Sequence, residues 1–320
     1  MIAGGGPAGL ACGIRLLELG WEVSLHERRT YPLRKVCGEF LSPAGWARLE
    51  ALGVSPHLPA PPHPIVRARF EFSPGVAAEF PLRPHAKGLS RAAMDSALAL
   101  RFRELGGDLQ EGSTWTDASA TPSTISVDSD QVFVDARGRP MDPGTENPWH
   151  GWKGYLDPHD IPGGFDTGML QMFPVAGGYC GMSAVEDGRL GVCFVSNREA
   201  APRAILESHP LLARIAGKVQ PHAAIAGFRF RTRKGPSRIG DRLRVWPPLV
   251  GDGMSRALAA GIREAEHLAT SLPRAGGKDW GFPLALALHA AMCFPRLRRA
   301  GGWVPCQRLV LAAAYRLTRG

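Results

Sequence analysis

The stretch MIAGGGPAGLACGIRLLELGWEVSLHER, residues 1–28, decides the fold. Its Gly4-Gly5-Gly6-Pro7-Ala8-Gly9 core fits the pattern G-x-G-x-x-G, and Gly13 lies shortly beyond it. Residues 2–5 read as the end of a strand and 7–19 as a helix. Trp21, Val23 and Leu25 alternate with Glu22, Ser24 and His26, which predicts a half-buried strand over 21–27. Each glycine has its own duty. Gly4 permits a tight strand-to-helix turn, Gly6 lets a diphosphate approach bare backbone, and Gly9 lets the helix lie close on the sheet. Pro7 and Ala8 open the helix, whose N-terminal N–H groups and positive dipole end suit phosphate. Glu27 closes the second strand, 18 residues after Gly9, where a carboxylate accepts from ribose hydroxyls; Arg28 beside it joins the candidate set. Glu27 would repel a 2′-phosphate, which argues against NADP at this turn. The competing reading is a plain glycine turn, but strand, helix and acid at these distances favour a dinucleotide. The first strand is very short, so its sheet edge is expected to be short or completed by another segment.

The whole chain of 320 residues is 44% apolar and 21% charged, ordinary for a globular protein with enough material for a core. That length suits two intertwined lobes or one large α/β domain. The cysteines, Cys12, Cys37, Cys180, Cys193, Cys293 and Cys306, are scattered without CxxC pairs. No metal site or disulfide framework is expected, and a reducing, cytoplasmic setting fits. No signal peptide is expected ahead of the glycine turn. The net charge of +9 favours anionic partners, yet no nucleic-acid-binding motif accompanies it, so no nucleic-acid partner is expected. The excess is uneven: no acid follows Asp279, whereas Arg296, Arg298, Arg299, Arg308, Arg316 and Arg319 do.

Along the chain, helices are expected over 43–52, 90–105 and 254–271, a proline-rich connection over 57–64 and a strand over 66–72. From about 113 to 200 the sequence reads as short strands split by glycine and aspartate turns: QVFVDARG, GWKGYL, GMLQMFP, GGYCGMSAVEDG and RLGVCFVSN. Residues 282–318 form two apolar helical runs broken by Pro295 and Pro305, and neither is an unbroken membrane span.

A second glycine motif, RIGDRLRVWPPLVGDGMSRALAAG (238–261), separates NAD from FAD. Together with residues 1–28 it resembles the FAD-dependent oxidoreductases of the p-hydroxybenzoate hydroxylase fold, most closely their geranylgeranyl reductase branch. The resemblance implies that Asp241 of the Gly240-Asp241 pair accepts from a ribityl hydroxyl. It also implies that PPLVGDGM (247–254), with Pro248, Gly251, Gly253 and Met254, brings backbone N–H groups and a helix start to the flavin O2 and N1 edge, where they stabilise the reduced anionic ring. RKVCGEFLSPAGWARLEALG (34–53) resembles the family's K-x-C-G-E segment, which puts Lys35 and Cys37 beside the flavin. GLSRAAMDSAL (88–98) resembles its L-S-R-x-x-x-D helix start, which puts Arg91 near the FAD phosphates, and 177–193 resembles the sheet roofing the substrate cavity. There are departures. Arg242, Leu243 and Arg244 replace small residues after the Gly-Asp pair and either crowd the ring or reach phosphate oxygens. DARGRP (135–140) stands where hydroxylases carry an Asp-Gly pair, and the reductase Y-x-W-x-F-P pattern survives only as Met169, Gln171, Phe173 and Pro174.

The expected fold is therefore α/β, with a Rossmann-like FAD-binding domain of the p-hydroxybenzoate hydroxylase type built from 1–56, 88–112 and 225–272. A β-rich substrate lobe over 57–87 and 113–224 is inserted into it, and a helical tail covers 273–320. NAD(P)H is the expected reductant and an apolar, isoprenoid- or polyketide-like molecule the substrate. The reaction is then reduction of a C=C bond; the alternatives are hydroxylation by a flavin monooxygenase, or a degenerate flavoprotein serving as a binding or maturation partner. Cys37 and Lys153 are the catalytic candidates. A thiolate at Cys37 would be favoured by Lys35, against the reading of a small buried hydrophobe; Lys153 lines the cavity or is a solvated strand lysine. The arginines and apolar faces of the tail suit peripheral contact with an anionic membrane, against a packed tail with a basic outer face.

Overall fold

The computed structural model describes residues 1–73, 76–115, 132–139, 148–233, 237–270 and 281–293. The chain runs β1 (Ile2–Ala3), α1 (Pro7–Glu18), β2 (Ser24–Glu27), β3 (Phe40–Leu41) and α2 (Pro43–Ala51), then a long hairpin of β4 (His63–Ser73) and β5 (Val76–Gly88), α3 (Arg91–Glu104) and β6 (Asp108–Glu111). There follow β7 (Val134–Asp135), β8 (Trp149–Leu156), β9 (Met169–Val175), β10 (Gly178–Ala184) and β11 (Leu190–Ser196). Two short helices, α4 (Pro202–Glu207) and α5 (Pro210–Ala213), lead to β12 (Gln220–Phe228), α6 (Gly253–Thr270) and α7 (Gly281–Cys293).

The first sheet is parallel, in the order β6-β2-β1-β7. β1 has two residues yet is internal, with Ile2 opposite both Leu25 and Val134, so the short strand expected to need completing is completed by β7. Val134–Asp135 thus pairs in this sheet although it falls in the range expected for the inserted lobe. Residues 237–239 extend the sheet further, the Asp135 N–H donating to Ser237 O at 2.8 Å and the Ile239 N–H to Asp135 O at 3.1 Å. That extension delivers Gly240-Asp241 to the end of the sheet where α1 begins. α1 and α6 pack together so closely that a Cβ at Gly261 would stand 2.2 Å from Ala8 O. Below them Leu10, Ile14, Leu98 and Phe102 are buried with Ile2, Leu25 and Leu258 in one core. Ser42 and Ser90 cap α2 and α3, accepting from the Gly45 and Ala93 N–H groups.

The second sheet is eight-stranded, ordered β12-β8-β11-β10-β9-β4-β5-β3. β5 was not foreseen, since its prolines and charges obscure the alternation of Ala78, Phe80 and Leu82; α4 and α5 were not foreseen because each is a turn or so long. One face, bearing Trp152, Phe194, Cys180 and Phe173, packs on Ile205, Leu206, Leu212 and Ile215 from the α4–α5 segment. Buried Glu71 and His209, 3.6 Å apart, tie β4 to that side. The other face turns toward the first sheet. Across it the register aligns Lys153, Cys193, Gly181, Met172 and Phe70 in one row, with Gly151, Val195 and Tyr179 in the next.

α7 covers the apolar end of this inner face. His289 is buried there among Trp149, Phe230 and Tyr179, its Nδ1 3.1 Å from the Tyr179 hydroxyl. Burial lowers its pKa to about 4 from an ordinary 6.5, so the neutral ring is the stable form. A depressed pKa adds stability fully present above about pH 6.5 and lost as pH falls through about 4, worth about 3 kcal/mol. His289→Gln is expected to flatten the acid limb of the stability–pH curve over that window, measured by urea denaturation between the two pH values. Residues 116–131, and the second apolar run within 294–320, lie outside the described residues.

Candidate functional site

The first glycine turn is closed on one side and open on the other. Gly4 has φ +104°, and a Cβ there would stand 2.3 Å from Ala136 O; a Cβ at Gly9 would stand 2.0 Å from Gly4 O. Both positions are therefore restricted to glycine by backbone on the sheet side. A Cβ at Gly6 meets nothing within 4 Å. Gly6 caps α1 without any side-chain hydrogen bond, and Pro7 follows, so the helix N-terminus is left for an outside acceptor. Glu27 is buried behind the turn and accepts from the Gly5 N–H at 2.8 Å and the Arg29 N–H at 3.1 Å. It braces the loop as well as closing the strand, and its two oxygens retain lone pairs for further donors. Tyr31, absent from the sequence expectations, lies across the turn with its hydroxyl donating to Gly5 O at 2.6 Å. Arg28 is exposed at the end of β2.

The second motif arrives against the first. A Cβ on Gly240 would stand 2.9 Å from the Ala8 Cβ, so Gly240-Asp241 abuts the first turn of α1. Asp241 is part-exposed and accepts from Arg139 Nη2 at 3.4 Å. The arginines feared to crowd this place are held elsewhere. Arg242 Nε donates to Asp135 at 2.7 Å, and Arg137 makes two bonds of 2.8 and 2.9 Å to the same carboxylate. Arg244 donates to Thr232 at 2.8 Å and packs over Trp246. In 247–254, Pro248 and Gly253 are exposed, Met254 is buried, and Gly251 has φ +68° with Phe40 close enough that a Cβ would sit 2.5 Å from its ring. Asp252, between the two glycines, is buried against Ser42 and Arg256, and burial raises its pKa to about 6.

The segment 35–39 forms a strap between the two motifs and the inner face of the large sheet. Val36 lies over Gly151, where a Cβ would be 3.0 Å from it. Glu39, at φ +56°, is 1% exposed and Lys153 is 0% exposed; they form an ion pair without hydrogen-bond alignment. The Tyr155 hydroxyl donates to the Glu39 carboxylate at 2.9 Å, and the Arg91 N–H donates to it at 2.8 Å. Lys153 is thus neither solvated nor open, a correction to the solvated-strand alternative; the signal missed was the acid Glu39 in the K-x-C-G-E segment. The Glu39 N–H in turn donates to Cys37 Sγ at 3.4 Å. Arg91 grips Asp95 with bonds of 3.0 and 2.8 Å; burial opposes its charge, but Asp95 and the neighbouring Cys37 thiol hold it above the ordinary arginine value. Burial lowers Lys35, which lies in reach of the charges on Glu27 and Arg91. The two catalytic candidates, Cys37 and Lys153, therefore flank one buried carboxylate.

Comparison with known proteins gives a fold and no sequence family. No protein-family model matches the chain, and no curated protein matches its sequence. Among solved structures, a triple mutant of the flavin-dependent brominase Bmp2 superposes with TM-score 0.70 at 18% identity, covering 98% of this chain and 94% of that one. A geranylgeranyl bacteriochlorophyll reductase-like protein from Thermoplasma acidophilum superposes with TM-score 0.61 at 15% identity, over 99% of this chain and 85% of that one. A variant of HpxO from Klebsiella pneumoniae, complexed with FAD, gives TM-score 0.61 at 17% identity, over 99% and 93%. At such identities the likeness establishes architecture: the chain has the p-hydroxybenzoate hydroxylase-type fold, a Rossmann-like sheet with a large second sheet laid against it, that its two glycine motifs implied.

Proposed function

We propose that the chain is an FAD-dependent oxidoreductase that takes electrons from NAD(P)H and reduces a C=C bond of an apolar, isoprenoid- or polyketide-like substrate. The observation that carries the cofactor is the contact of Gly240 with Ala8, which brings an open helix N-terminus, fit for a diphosphate, beside a part-exposed carboxylate, fit for a ribityl hydroxyl. The FAD bound in one structural relative supports the same reading. Bound FAD would supply hydride to one alkene carbon. The chain must then hold the substrate and supply a proton to the other carbon. The polar end of the large sheet's inner face offers the second: Cys37, part-exposed on the strap, with the buried Glu39–Lys153 pair beside it. Cys37 is the proton donor in this reading. A second reading, oxygen-dependent oxidation, is favoured by structural relatives that include a flavin-dependent brominase, a flavin-dependent halogenase and a peptidyl tryptophan dihydroxylase.

The deciding experiment mixes the purified chain with FAD and then, anaerobically, with NADH or NADPH. The visible absorbance of the flavin is expected to bleach, and a model isoprenoid alkene to restore it without oxygen. Recovery only after oxygen is admitted would move the assignment to the second reading. A chain that takes up no FAD would overturn both and leave the binding-partner alternative.

A further inference from the structure

The strap crosses the large sheet between two glycines. Val36 stands over Gly151 of β8, where a Cβ would lie 3.0 Å from it, and Glu39 stands over Gly191 of β11, where a Cβ would lie 3.7 Å from its Oε2. In the register of these two strands Gly151 pairs with Val195, Lys153 with Cys193 and Tyr155 with Gly191. Side chains alternate between the faces of a strand, so Lys153 and Cys193 are the inner-face pair between the two contacts. Cys37 and Gly38 are the strap residues that pass above that pair. The bare glycines at both ends hold the strap at side-chain height, and Cys193 lies within electrostatic reach of Lys153, Cys37 and Glu39. Gly38 is exposed, and a Cβ on it would meet nothing within 4 Å, so bringing Cys37 down onto Cys193 displaces no packed side chain at that residue.

Both thiols are free and part-exposed, whereas Cys12, Cys180 and Cys293 are buried. The Glu39 N–H donates to Cys37 Sγ at 3.4 Å, and Arg91 lies beside the same sulfur. Burial pushes the Cys193 thiol up to about 12, while Lys153, directly across from it, works the other way. Cys37 is therefore the sulfur that meets an oxidant first, and Cys193 the one that resolves the product.

We propose that Cys37 and Cys193 are a redox pair, joined by a disulfide when the chain meets hydrogen peroxide and parted again by a dithiol. In the first step the Cys37 sulfur attacks one peroxide oxygen, the O–O bond breaks, and water leaves with the thiol proton; Cys37 becomes a sulfenic acid. In the second the Cys193 sulfur attacks the Cys37 sulfur, the S–S bond forms, the S–O bond breaks, and hydroxide leaves as water with the Cys193 proton. Two thiols have then lost two electrons and two protons, and peroxide has become two waters. Exchange with a dithiol returns both. Cys37 is the proton donor of the function proposed above, so the disulfide withdraws that proton and ties the strap to β11; this consequence alone rests on that function.

The test treats the full chain, with and without added FAD, with hydrogen peroxide, blocks it with iodoacetamide under denaturing conditions and digests it. A peptide pair linking Cys37 to Cys193 within one chain is expected, two hydrogens lighter than the separate thiol peptides and absent after dithiothreitol. In Cys193→Ser the Cys37 sulfenic acid has no resolving thiol, so its labelling by dimedone is expected to rise at least about tenfold over wild type; Cys193→Ala repeats the measurement without a new hydroxyl on the strand. In the FAD-loaded wild-type chain, peroxide is expected to cut alkene reduction at least about tenfold, and dithiothreitol to restore it. The proposal fails if the linked pair is missing, if the link joins two chains, or if dimedone labels Cys37 equally in wild type and both variants. Undiminished turnover in a linked, FAD-loaded chain would overturn the consequence drawn for Cys37. A linked chain that takes up no FAD would overturn the flavin reading alone; a yellow chain without the link would overturn this proposal alone.

Discussion

Gly6→Ser is expected to leave the stability of the apo-protein within about 0.5 kcal/mol of wild type, or slightly above it, while FAD affinity falls at least about tenfold. The opposite directions follow from one position. Gly6 has φ −83° and ψ −177°, extended backbone open to any residue, and a Cβ there meets nothing within 4 Å. Serine is also a better helix N-cap than glycine, because its hydroxyl accepts an N–H that glycine leaves bare. The same hydroxyl then occupies the space and the donors that a diphosphate needs. Gly9→Ala provides the contrast: its methyl would stand 2.0 Å from Gly4 O, so it is expected to destabilise the fold itself by about 3 kcal/mol or more. Thermal melting of the apo-protein and flavin fluorescence titration separate the two effects. Unchanged FAD affinity in Gly6→Ser would mean that no diphosphate lies at this turn.

What the sequence could reveal followed the range of the interactions involved. The first turn, its helix and its second strand depend on neighbours a few residues away, and the observed α1 and β2 differ from the expected bounds only at their ends. α6 was foreseen for the same reason. Long-range consequences were hidden. That β1 would be an inner strand depends on Val134–Asp135 joining it from across the chain, and on 237–239 joining that in turn. The harmlessness of Arg242 depends on Asp135, 107 residues away, which no local pattern announces. Glu39 stood inside a quoted motif, but its partners Lys153 and Tyr155 are brought to it by the register of β8 under the strap, a tertiary fact. Tyr31 shows the same limit at shorter range: nothing in its neighbours says that its hydroxyl will reach back to Gly5.

The largest change in stability is expected at that strap. Lys153→Met leaves the Glu39 carboxylate buried with no cation, which costs about 3–5 kcal/mol and lowers the melting temperature by roughly 10 °C. The bonds from Tyr155 at 2.9 Å and from the Arg91 N–H at 2.8 Å soften the loss but leave a full negative charge in a place 1% exposed. Glu39→Gln added to Lys153→Met removes that charge and keeps an acceptor for both donors, so the double variant is expected to regain at least half of the lost stability, as calorimetry would record. The pair also separates two roles for Lys153. If the lysine only anchors the strap, the double variant recovers catalytic turnover together with stability, and the Cys37 thiol, held by the Glu39 N–H, returns to its wild-type rate of alkylation. If Lys153 delivers a proton in the reaction, stability and Cys37 alkylation recover while turnover stays low. A Lys153→Met variant as stable as wild type would mean that the buried pair is not formed, and the strap would then need another anchor.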